Sequence, residues 1–221
     1  MPWSRRGPWL EIAVVAGLGM VSLLTLRLGG SRLPAAAEVW LIPAVFLYAP
    51  IIAGLVGRDF SGLGLERPRW AKAITDLAIF AFVVLPIFLA GWYVLMRYVM
   101  AARFAWAAPQ GLGALAAWQL LGVALPEEVF FRGFLQGRFN QVWPGRVRLL
   151  GAEIGPGLFL AAALFALAHY LVIPRPHQLL VFFPGLLFGL LRERSGSVFA
   201  PILVHALSNI VFLMAQEMMI R

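Results

Sequence analysis

Apolar stretches of about 20 residues, the length that crosses a hydrocarbon core, recur along the whole of this chain. That pattern dictates an all-α, polytopic helical membrane protein. Composition agrees: 62% of the residues are hydrophobic, 13% are charged and the mean hydropathy is +0.86. A soluble domain carries about 25% charged residues. The spacing predicts seven spans, near residues 9–28, 38–57, 73–100, 113–137, 156–173, 178–191 and 197–219. Three belong to an N-terminal set in residues 1–112 and four to a C-terminal core in residues 113–221. The third is long enough to tilt in the bilayer. The sixth is short and carries Pro184 and Gly185.

The formal net charge of +8 would suggest a nucleic-acid partner in a soluble chain. Here the basic residues fall in the short gaps between spans, so they read as topology signals and exclude a nucleic-acid role. Arg5 and Arg6 precede the first span, and Arg58, Arg67, Arg69 and Lys72 follow the second. Arg138, Arg146 and Arg148 follow the fourth, and Arg192 and Arg194 the sixth. The other side holds Arg27, Arg32, Arg97, Arg103, Arg175 and Arg221. This bias predicts a cytoplasmic N-terminus. The basic start, apolar middle and small-residue exit of the first 40 residues also resemble a signal peptide. Glu11 and Arg27 interrupt that pattern and further spans follow, which favours an uncleaved first span. With no cysteine, the chain has no disulfide, thiolate or cysteine-ligated metal chemistry. Its preference for arginine over lysine, with abundant Ala, Gly and Pro, suggests a bacterial plasma-membrane protein.

Once the loop charges are set aside, the short list inside the spans is Glu127, Glu128, Arg132, His169, His205 and Asn209. One acidic or basic side chain at the centre of a membrane helix costs roughly 2.5–3.5 kcal/mol on insertion scales. The stretch "GVALPEEVFFRGF", residues 122–134, holds three of them. Helical residues four apart are neighbours, whereas adjacent ones diverge by about 100°. Glu128 can therefore pair with Arg132, and Glu127 is left without a local counter-ion. His205 and Asn209, also four apart, share a helical face. Counting the helical rise from the basic side puts Glu127 at roughly 15 Å, His205 at about 12 Å and His169 at about 20 Å. Each residue alone has a bland reading: an ion pair as glue, or a histidine or asparagine bonded to a neighbouring helix. Pro126 could start a helix with both acids in its first turn. Convergence at one depth favours a site inside the C-terminal bundle.

The stretches "EEVFFR", "FALAH" and "HALSN" fit EExxxR, FxxxH and HxxxN motifs. In that order on successive helices they resemble the CPBP family of intramembrane proteases, which includes the type II CAAX prenyl endopeptidases. The resemblance covers residues 127–209 and implies peptide-bond hydrolysis near the C-terminal tail of a membrane-associated or lipidated substrate. It implies Glu127 as the base that activates water with help from His169, and His205 with Asn209 as oxyanion donors. Glu128 and Arg132 are then supporting residues. Glu127, His169 and His205 could alternatively hold zinc; without an HExxH sequence, a glutamate-based mechanism with no cofactor is the favoured expectation. The rival readings are a non-catalytic scaffold or immunity protein of the same fold, and a proton-coupled transporter.

Overall fold

The computed structural model describes residues 7–29, 32–106 and 110–220. Arg5, Arg6 and Arg221 lie outside them. Seven helices longer than ten residues occur among the described residues: α1 (Gly7–Gly29), α2 (Ala35–Gly57), α3 (Trp70–Val99), α4 (Leu112–Val142), α5 (Pro156–Val172), α6 (Phe182–Ser195) and α7 (Phe199–Glu217). Five of them, α1, α2, α3, α4 and α7, are long and apolar enough to cross a membrane. The chain is a multi-pass integral membrane protein. Its exterior is correspondingly greasy: Phe82 is 82% exposed and Ile87 69%, the reverse of a soluble surface.

Several boundaries differ from the sequence expectation. The fourth helix continues beyond residue 137, to Val142, because the buried Arg138 and Asn140 find polar partners there. The sixth span divides into a 3₁₀ segment (Pro176–Val181) and α6. Pro176 and Pro184 set those starts, since proline is at home in the first turn of a helix. Gly196, with φ of 74°, ends α6 in the left-handed conformation.

Two short ladders complete the fold. β1 (Arg103–Phe104) pairs antiparallel with β4 (Met219–Ile220), and β2 (Val147–Leu149) with β3 (Ala152–Ile154). The β2–β3 turn at Leu150 and Gly151 has both φ values positive, as a two-residue hairpin of matching twist requires.

The loops predicted to share a membrane side do meet at one end of the bundle. Arg138 bridges Asp59 at 2.8 Å and Glu11 at 2.9 Å, and Arg194 bridges Asp76 at 2.8 Å. Arg192 donates to Gly62 O at 2.9 Å and Lys72 to Gly151 O at 3.3 Å. Burial opposes the charge on Asp59, but hydrogen bonds from Ser61 and the Arg138 guanidinium together hold its carboxyl below the usual value.

The core lies in the middle of the bundle. Phe46 of α2 stacks on Phe130 of α4 at 4.3 Å, and Ile12, Val15 and Leu23 of α1 join the same cluster. α1 is thus part of the core.

Candidate active site

α4 carries both glutamates, and its local geometry is unusual. Four α-helical residues, Leu125–Glu128, are flanked by π-helical turns at Trp118–Ala124 and Val129–Leu135. π turns are rare and concentrate at functional sites. They widen the helix and aim successive side chains in directions that a regular helix would not.

The expected Glu128–Arg132 pair forms. Arg132 Nη1 lies 3.1 Å from Glu128 Oε1, with both side chains fully buried. The guanidinium also sits 4.0 Å from the centre of the Phe165 ring and 5.3 Å from Phe188, and donates to Gly185 O at 3.3 Å. An ion pair this deep persists only when charge and ring faces replace lost water.

Glu128 has a second partner that spacing could not reveal. His205 Nδ1 is 2.8 Å from its Oε1. Because an ionised carboxylate only accepts, Nδ1 carries the proton in this assignment. His205 Nε2 then faces Glu127, 3.9 Å from its Oε2. The ring therefore stands between the two glutamates and is fixed on its flank by Phe188, parallel to within 20° at 4.9 Å.

Glu127 differs from its neighbour. Its side chain retains 17% exposure where that of Glu128 retains none, and among the described residues each glutamate has a buried Oε2 with no hydrogen-bond partner. It lines a cleft of about 280 Å³ together with His169. His169 Nδ1 bonds to Phe165 O at 2.9 Å, so the proton lies on Nδ1 and Nε2 presents a lone pair. The FxxxH spacing thereby gains a physical meaning. Phe165 accepts from His169 through its carbonyl and meets Arg132 and both catalytic histidine candidates with its ring.

His205 and Asn209 both turn toward α4, but to different residues. Asn209 donates through Nδ2 to Gln119 Oε1 at 3.0 Å. Gln119 is 9% exposed and was absent from the sequence-derived set. Its signal was an uncharged polar residue eight positions ahead of Glu127, in a span where every other neighbour except Trp118 is purely aliphatic. Gln136 was missed in the same way; it is fully buried and donates to Gly189 O at 3.1 Å and Glu193 Oε1 at 2.7 Å.

Among the described residues no three His, Asp or Glu side chains lie close enough together to hold a metal ion. Glu127, His169 and His205 do not assemble the donor set that zinc requires, and both ring nitrogens of His205 face carboxylates.

Residues 109–211 match a family model described as Type II CAAX prenyl endopeptidase Rce1-like. No curated protein matches the chain, and no solved structure does.

Proposed function

Over residues 109–211 this chain belongs to the Rce1-like family of intramembrane CAAX-type proteases, and on that premise we propose that it is an endopeptidase using a glutamate-activated water. It is a membrane-embedded member of that protease superfamily; the substrate, the residues and the mechanism are our reading. Glu127 accepts a proton from water, and the oxygen attacks the scissile carbonyl carbon. His169, with its Nε2 lone pair free, helps to orient that water. The tetrahedral oxyanion is stabilised by Asn209 Nδ2–H and by the His205 imidazole. Collapse breaks the C–N bond, and the proton held by Glu127 passes to the leaving amine. Glu128 and Arg132 keep His205 in register throughout.

One observation carries the assignment of roles. Glu128 is fully buried with its Oε1 committed to Arg132 and His205, whereas Glu127 keeps some exposure and lines a cleft shared with His169. The substrate in this reading is a peptide or protein whose tail is lipidated or embedded in the membrane, and it reaches the site through surrounding lipid. All seven helices serve as spans, with the first three (residues 1–112) framing a catalytic core in residues 113–221. The basic end of the bundle faces the cytoplasm of a bacterial cell.

The test is a cleavage assay in proteoliposomes with membrane-anchored reporter tails. Wild-type protein should cut, and Glu127→Gln should not while remaining folded. A Glu127→Gln protein that cuts at the wild-type rate would defeat the reading. Exhaustive metal removal should leave the wild-type rate unchanged; a stoichiometric zinc requirement would replace the glutamate mechanism.

A further inference from the structure

The cleft approaches Glu127 from the end of the bundle opposite the basic cluster, and we infer that Glu38 at its mouth selects substrates bearing a basic residue on that side of the scissile bond. The inference rests on the proposed protease reading for its catalytic assay, though not for its binding assay.

Where the cleft runs is set by the helices that line it. Leu23 and Leu26 come from the last two turns of α1, Val39 and Ile42 from the first turns of α2, and Val172 from the end of α5. All belong to the end where α1 finishes and α2 begins. The ion pairs of Arg138 with Asp59 and Glu11, and of Arg194 with Asp76, lie at the other end. By the arginine bias the mouth is therefore extracytoplasmic. A substrate held here has its scissile bond reached from the outer leaflet.

Glu38 gives this mouth a chemical preference. Glu38 and Glu127 are the acidic residues among those lining the cleft, and Glu38 is exposed and makes no ion pair among the described residues. Most other lining groups are apolar, so Glu38 is the charge that a cation meets as it enters the cleft, at an attraction that salt weakens. The contacts of Phe46 with Phe130 and of Trp40 with Trp118 set the offset between α2 and α4, and helical rise then puts Glu38 about 8–16 Å nearer the mouth than Glu127. That distance corresponds to roughly two to five residues of extended peptide. A simpler role exists, since an acid in the first turn of a helix is favoured by the helix dipole. That role affects stability and carries no substrate preference.

Two measurements separate these outcomes. The first uses membrane-anchored reporters with Lys, Gln or Glu about two to five residues from the scissile bond on the extracytoplasmic side. Wild-type KM should rise in the order Lys, Gln, Glu, and Glu38→Lys should reverse that order. An unchanged order in Glu38→Lys would overturn the inference. The second is independent of catalysis and exploits the absence of cysteine. A Val39→Cys variant should react with a membrane-impermeant maleimide from the side opposite the one that labels Arg148→Cys. A non-cleavable Lys-flanked peptide should slow that labelling several-fold, and a Glu-flanked peptide should not. Equal protection by both peptides, or labelling of both cysteines from one side, would refute it. Charge-dependent protection without any cleavage would instead remove the protease reading and leave the binding preference standing.

Discussion

Glu128 Oε1 meets His205 Nδ1 at 2.8 Å across 77 residues of chain. The contact makes Glu128 the link between the buried arginine of α4 and the imidazole of α7, so its charge supports two partners at once. Glu128→Gln strands Arg132 in the core, and breaking one side of a buried pair costs about 3–5 kcal/mol. The variant should show a lower melting temperature as well as slower cleavage. Glu127→Gln should show the opposite profile, with cleavage lost and melting temperature retained. Folded, inactive Glu128→Gln beside active Glu127→Gln would transfer the base to Glu128.

Gln119 is expected to act through Asn209. Losing an oxyanion donor outright, as in Asn209→Ala, should reduce kcat by about 10²–10³. Gln119→Leu leaves the donor in place but releases its amide, so kcat should fall by a smaller factor with KM little changed. Gln119→Glu, which retains the acceptor, should recover part of the rate. Equal losses in both variants, tracking melting temperature, would mark the pair as packing alone.

The spacing rules recovered the Glu128–Arg132 pair because its partners are four residues apart on one helix. They recovered the grouping of basic loops because charge bias is written along the chain. They could not show that His205 bridges two glutamates, because that contact depends on how α7 crosses α4. Gln119 and Gln136 escaped notice because a neutral amide does not disturb hydropathy as a charge does. The π turns were invisible for a different reason: they arise from how the helix packs, with no residue type that marks them.

The close approach of α4 to the loop after α2 is a second source of sensitivity. A Cβ at Gly137 would meet the backbone carbonyl of Gly62, and one at Gly133 the carbonyl of Leu63. Backbone cannot swing aside as a side chain can. Gly137→Ala should therefore destabilise by about 1–3 kcal/mol, the range of overpacking substitutions. Gly91→Ala, where a Cβ meets nothing within 4 Å, is the control and should leave the melting temperature unchanged or raised. Thermal denaturation in detergent distinguishes the two.

Asp59 supplies a pH dependence at the basic end. Its folded carboxyl titrates below the ordinary value of 3.8. The contribution to stability is then complete above the unfolded value and is lost as pH falls through the folded one. Melting temperature should decline on acidification below about pH 4, with a smaller decline in Asp59→Asn. An identical decline in both proteins would assign the effect to other carboxylates.

The two π turns around Leu125–Glu128 have a consequence for how this segment tolerates insertion and deletion. Each turn holds a residue more than a regular helix would, so removing one residue from Trp118–Ala124 can leave a continuous helix in place. Excising a second residue would find no such slack and would rotate what lies upstream by about 100° relative to the glutamates. Gln119 would part from Asn209 while Glu128 and Arg132 stayed together. A single-codon deletion here should therefore be tolerated, whereas a two-codon deletion should put the oxyanion support out of phase with its base, so the length of this segment is itself a functional parameter.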